Sequence, residues 1–196
     1  MTQTFWRFSF VALSVFALGG CASVQMMKAE QPVTAKPDEA LVVLMRSSFL
    51  GGAISASVFD VTGSETKFIG IIQNGTKIGY PVKPGEYTFM VVSEAADFMQ
   101  AKVVAGKTYY ALVTPRMGAW KARFSFRPLR QHDLAGSEFA NWDSSTYFVV
   151  NTPESQNWAS ANATDVTTKR AEYWTQWANK PAHERAAQTL NPEDGR

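Results

Sequence analysis

The chain has 196 residues, 45% hydrophobic and 13% aromatic, a content that supports a packed core and excludes global disorder. Nineteen Lys and Arg against 17 Asp and Glu give a formal charge of +2, too near neutrality for a nucleic-acid-binding protein. Its one cysteine excludes an intrachain disulfide and any multi-cysteine metal or redox site, so the fold must hold by packing.

The first element reads as an export address. Arg7 supplies a positive start, and residues 8–18 form an apolar run long enough for a signal-peptide core but too short to cross a bilayer as a helix. It ends in Leu18-Gly19-Gly20-Cys21, which resembles the bacterial lipobox, where small residues precede a cysteine that is diacylated on sulfur and, after cleavage, acylated on its new amino terminus. The resemblance implies a signal peptide over residues 1–20 and a membrane anchor at Cys21. Ala22, rather than an aspartate, follows the cysteine, which by the sorting rules of such proteins implies the outer membrane, facing the periplasm. Loss of Arg7 with the leader brings the charge balance to 18 against 17.

Residues 22–38 carry Gln, Lys, Glu, Thr, Pro32 and Pro37 with little periodicity, which reads as a tether from the lipidated residue 21 onward. Such a segment reaches at most about 60 Å extended and roughly 20–25 Å as a coil.

Residues 39–130 read as an antiparallel β-sandwich of seven to eight strands, because short β-rich runs alternate with turn residues about every ten positions. The runs are 41–46, 53–60, 67–72, 76–82, 86–93, 98–104, 108–114 and 120–127. Asn74-Gly75 suits a tight hairpin with positive φ at both central positions, and Pro84-Gly85 and Ala105-Gly106 suit glycine turns. Runs 86–93 and 108–114 are apolar on both faces, whereas 120–127 alternates strictly. The first two need a second cover beyond the opposing sheet. The remaining apolar material lies in a helical C-terminal segment, residues 131–190. A short helix is expected near 133–141 and a long one over 153–179, started by Asn151-Thr152-Pro153 and weakest near 162–168; another can follow Pro181. On the long helix Trp158, Ala159, Val166, Tyr173 and Trp177 share one side, with Trp174 at its margin. Residues 191–196 are expected to fray.

Four blocks carry a second resemblance: 46–52 with its Gly51-Gly52, 70–76 with Asn74-Gly75, 82–88 with Pro84-Gly85, and 105–110 with Gly106-Lys107-Thr108-Tyr109. Together they resemble a family of bacterial lipoproteins with a small periplasmic β-sandwich of the prealbumin-like type. The resemblance spans roughly residues 40–127, implies fold and compartment, and carries no catalytic residues.

The chain's candidate chemistry is sparse. Residues 101–108 match a loose phosphate-loop spacing, but the interior is Lys-Val-Val-Ala and a strand-like run follows, where a phosphate loop needs glycines and a helix. His132 and His183 are the only histidines and lack ligand spacing to any partner, so no metal, cofactor or catalytic constellation is expected. The charge distribution says more. Between Phe98 and Gln131 stand Lys102, Lys107, Arg116, Lys121, Arg123, Arg127 and Arg130 without one acid. On the last run Lys121, Arg123 and Arg127 share a face, which reads either as an edge strand kept soluble by charge or as a docking face for an anionic envelope component, phospholipid head groups or cell-wall carboxylates. The expectation is a membrane-anchored, non-enzymatic interaction or structural module, with that component or an envelope protein as partner. An enzyme or accessory acting on cell-wall or lipid substrates is the alternative.

Overall fold

The computed structural model describes residues 25–48, 52–116 and 123–196. The expected signal peptide over residues 1–20, Cys21 and Lys121 lie outside the described residues.

Two sheets face each other. One is six-stranded, in the order β1 (Met26–Lys28), β10 (Tyr147–Asn151), β5 (Thr76–Val82), β2 (Ala40–Arg46), β8 (Thr108–Arg116), β9 (Arg123–Pro128). The other is five-stranded, in the order β11 (Thr189–Leu190), β7 (Ala96–Val103), β6 (Gly85–Val92), β3 (Ala56–Asp60), β4 (Lys67–Ile72). Each run read from the sequence over residues 41–127 holds a strand within its described residues, but the sheets are mixed rather than antiparallel, and the described residues form eleven strands rather than seven or eight. The pairs β2–β8, β5–β10 and β7–β11 run parallel. They do so because the chain leaves one sheet and returns to it later: β8 rejoins β2 after passing through the other sheet, and β10 and β11 return after helical excursions. The C-terminal segment 131–190 is helical as expected, with the short strands β10 and β11 interrupting it.

The glycine turns explain why antiparallel neighbours do not follow from them. Strands β4 and β5 belong to different sheets, as do β5 and β6, and β7 and β8. Asn74-Gly75 is therefore an arch between sheets, with positive φ at Gly75 alone (79°). The turn docks on the end of β2, where the Gly75 amide donates to the Arg46 carbonyl at 2.9 Å and the Ser48 amide to Asn74 Oδ1 at 2.8 Å. Gly106, at φ 75°, makes the β7–β8 arch.

Three apolar layers result. Val42, Leu44, Val58, Phe89, Tyr109 and Phe126 belong to the core between the sheets. Alternate residues of the same strands point outward, as period two requires. Val43, Met45 and Leu112 meet Leu134 and Phe139 of α1 (Gln131–Leu134) and α2 (Ser137–Ser144). Phe59, Met90 and Phe98 meet Val166 and Trp177 of α4 (Ala163–Ala178), with Trp158 of α3 (Pro153–Ala161) beside them. Strands 86–93 and 108–114 do need cover on both faces, but they lie in opposite sheets, so two separate helical pieces supply it.

The long helix is two helices. Thr152 caps α3, its Oγ1 accepting from the Ser155 amide at 3.2 Å while Ser155 Oγ accepts from the Thr152 amide at 3.0 Å. Asn162 ends α3 and begins α4, within the stretch of weakest helix propensity. After Pro181 comes α5 (Ala182–Ala187).

Both expected loose ends are seated. From Met26 onward the tether is part of the fold: β1 pairs antiparallel with β10. Two glycines make the seats, since a Cβ on Gly70 would come within 2.9 Å of Met26 Cε and one on Gly79 within 2.7 Å of Val33. At the other end the Arg196 amide donates to the Thr108 carbonyl at 3.1 Å and the Thr108 amide to the Arg196 carbonyl at 2.8 Å. A Cβ on Gly195 would meet the Tyr109 ring at 2.7 Å. Small residues at the contact, invisible to hydropathy, let these segments lie flat.

Candidate functional site

The strict alternation of β9 places Phe124 and Phe126 in the core and exposes Arg123 and Arg127. Lys121 lies outside the described residues. The acid-free stretch is nonetheless not a free field, because acids from elsewhere in the chain come to it. Lys102 pairs with Glu86 at 3.1 Å, Arg127 with Asp133 at 3.3 Å, and Arg130 with Asp194 at 2.6 Å. Lys107 Nζ donates to the Pro192 carbonyl at 2.9 Å, and the Arg127 guanidinium lies 5.4 Å from the Trp142 ring. Arg127, its side chain still half exposed, thus contacts Asp133 of α1 and Trp142 of α2.

Arg116 and Arg123 remain. They face each other in register where β8 meets β9, and neither has an ion-pair partner among the described residues. Together with Lys180, Tyr173 and Trp177 they line a hollow of about 80 Å³ at the end of the sandwich. Asp97 also lines it, but its carboxylate is committed: it accepts from Lys180 Nζ at 3.0 Å and from Gln188 Nε2 at 2.6 Å. The sequence pointed to Arg123 here and missed Lys180, which arrives from 57 positions downstream at the end of α4. Arg116 was within reach, since pairing the two strands sets it opposite Arg123.

A larger groove, about 600 Å³, runs between α4 and the outer face of β6 and β7, lined by Thr62, Thr88, Gln100, Thr167, Arg170 and Trp174 among others. Arg170 holds the β3–β4 loop, donating to the carbonyls of Val61, Gly63, Ser64 and Glu65 at 2.6–3.0 Å and to Thr66 Oγ1 at 3.1 Å. Trp174 is propped by Phe98 edge-on at 5.2 Å and by Trp177 in a stack at 5.3 Å. The groove is lined by hydroxyl, amide and indole groups, one guanidinium, and the apolar Val61 and Ala171.

Two buried polar groups serve the fold. Asp60 accepts from the Thr62 amide and from Tyr80 across the sandwich, at 3.0 and 3.1 Å. Burial, and then the Asp60 charge, raise the Tyr80 phenol above its ordinary value, so it stays a donor. Arg46 is fully buried, lies 4.4 Å from the Phe124 ring, and donates to the Ile54 carbonyl; burial lowers its pKa. His132 is solvent-exposed, and no cluster of three metal-ligating side chains occurs among the described residues. The 101–108 motif is strand, arch and strand, with no helix after Lys107.

No protein-family model matches the chain, and a search of curated proteins finds no match. Among the described residues no helix is long and apolar enough to cross a membrane.

Proposed function

We propose that the protein is an outer-membrane lipoprotein, anchored through Cys21 and facing the periplasm, that works as a non-enzymatic interaction module whose β8–β9 end contacts an anionic polymer of the cell wall. The observation that carries this reading is the placement of two features on one sheet: β1, which follows the anchor, and β9, which bears Arg123, are its opposite edges.

Met26 stands five positions after Cys21, a reach of at most about 18 Å. The tether is therefore short, and the β1 edge stays beside the bilayer. Five strand spacings across the sheet put β9 about 24 Å further on. An edge-on domain then turns Arg116 and Arg123 away from the lipid that holds it. Of the two anionic partners the charge pattern admits, head groups and wall carboxylates, this arrangement favours the wall. Energies agree on the division of labour, because acyl chains contribute about 0.8 kcal/mol per buried CH₂, whereas a basic residue at an anionic surface adds about 1 kcal/mol.

Cys21→Ser tests the anchor. The expected result is a protein that keeps its leader or lacks acyl mass, and that leaves the membrane fraction on density fractionation. Mass spectrometry of the wild-type amino terminus showing unmodified Cys21, or cleavage elsewhere, would end the reading.

A further inference from the structure

We infer that the hollow between Arg116, Arg123 and Lys180 is a binding site for a single oxyanion, a carboxylate or a phosphate monoester group. The inference deepens the wall-contact reading by naming the group held, and it rests on that reading only for the identity of the polymer.

Three observations support it. First, the two arginines are set opposite each other by strand register: Arg116 and Arg123 are direct partners where β8 meets β9, and both line the hollow. Like charges opposite each other on a sheet are destabilising, so a pair kept without a counter-ion among the described residues is a cost that a bound anion relieves. Second, the charge of the hollow does not cancel. Three cations line it against one acid, and Asp97 is turned to Lys180 and Gln188, leaving the two arginines uncommitted. Third, the size is sufficient. About 80 Å³ exceeds the roughly 10–15 Å³ of such space that one water needs, so a planar or tetrahedral oxyanion has room to enter while the rest of a polymer would lie outside. Arginine forks favour such groups, because they donate two parallel charge-assisted hydrogen bonds to an oxyanion.

The walls add definition. Trp177 is itself buried and fixed by its Nε1–H, which donates to Gln188 Oε1 at 2.9 Å; Lys180 Nζ donates to the same oxygen at 2.7 Å. Lys180 is therefore held in place by Asp97 and Gln188 before any ligand arrives, and less ordering remains to be done on binding.

The test is a titration of the lipidated full-length protein, in neutral detergent micelles, with sodium phosphate and separately with sodium acetate. Side-chain ¹⁵N resonances of the arginines and the Trp177 indole are followed by NMR at constant ionic strength. The expected result is a saturable shift at Arg116, Arg123 and Trp177, with a dissociation constant on the order of 1 mM, as two charge-assisted contacts to a solvated monoanion supply. In Arg116→Ser/Arg123→Ser, both exposed and therefore foldable without loss of core, the constant should weaken at least tenfold. Lys102→Ser, which removes a cation elsewhere on the same acid-free stretch, should leave it unchanged. Saturation by both probes supports a general oxyanion site; saturation by one alone supports a phosphoryl or a carboxylate source accordingly. No saturable shift with either probe, or an equal loss in Lys102→Ser, would overturn the inference. If small anions bind while isolated wall polymer does not, the site stands and the polymer is the wrong partner.

Discussion

Arg130→Ala is expected to lower the melting temperature by about 6–12 °C. The sequence counts Arg130 as one more cation in an acid-free stretch, but the fold uses it as a clasp. Its guanidinium donates to Asp194 Oδ2 and to the Thr189 carbonyl, both at 2.6 Å, and to the carbonyls of Ala186 and Ala187 at the end of α5. The Asp194 side chain is 7% exposed and that of Arg130 24%. Removing one partner of a buried pair costs about 3–5 kcal/mol, and the partial exposure of Arg130 reduces that to about 3 kcal/mol. At roughly 2–4 °C per kcal/mol for a domain of this size, the shift follows. Amide exchange at Thr108 and Arg196 should accelerate first, since the released tail takes that pair of hydrogen bonds with it. An unchanged melting curve would show that the tail does not dock.

Trp177→Ala should cost about 3–5 kcal/mol, the range for removing a buried aromatic side chain. Trp177 is 3% exposed and sits between Phe98 and Trp174. The change opens a cavity under α4 and loosens Gln188, which positions Lys180 against the buried Asp97. Trp177→Phe separates the two effects. It keeps most of the packing and loses one hydrogen bond, so it should cost about 1 kcal/mol plus a smaller cavity term. Chemical denaturation reads both. If alanine costs no more than phenylalanine, α4 is not the cover of the five-stranded sheet.

The strands over residues 40–128 are legible because their signals are local. Val42, Leu44, Phe89 and Val91 alternate with outward residues that are also apolar, and turn residues bound each run. What escapes is what depends on a distant partner. The strands Met26–Lys28 and Thr189–Leu190 are too short to show a period, and each exists only because Asn151 or Gln100 offers it a register. Tyr147-Phe148-Val149-Val150 has strand-forming residues but stands among helical segments, and its parallel partner Thr76 lies 71 positions earlier. Asn74-Gly75 is ambiguous in the same way, since the dipeptide specifies a reversal but not whether the chain returns to the same sheet or crosses to the other.

The candidate site is legible only in part, for the same reason. Alternation on β9 suffices to put Arg123 and Arg127 outside. It cannot tell that Asp133 and Trp142 occupy Arg127, nor that Lys180 comes to join Arg123, because charge pairing is decided by residues that fold in from the C-terminal third. The seven-cation stretch is thus mostly internal bonding. The register pair Arg116 and Arg123, where β8 meets β9, has no ion-pair partner among the described residues.

The central claim is that one edge of the six-stranded sheet holds the membrane while the other holds an anionic wall polymer. A flotation assay tests it directly. Vesicles carrying the lipidated full-length protein are mixed with isolated, fluorescently labelled cell-wall fragments and spun through a density gradient at low salt and at about 0.5 M salt, where exposed charges are strongly screened. The account predicts that fragments rise with wild-type vesicles at low salt, stay behind at high salt, and stay behind at both with Arg116→Ser/Arg123→Ser vesicles. Fragments that fail to rise with the wild type at low salt, or that rise equally with the variant, would contradict it.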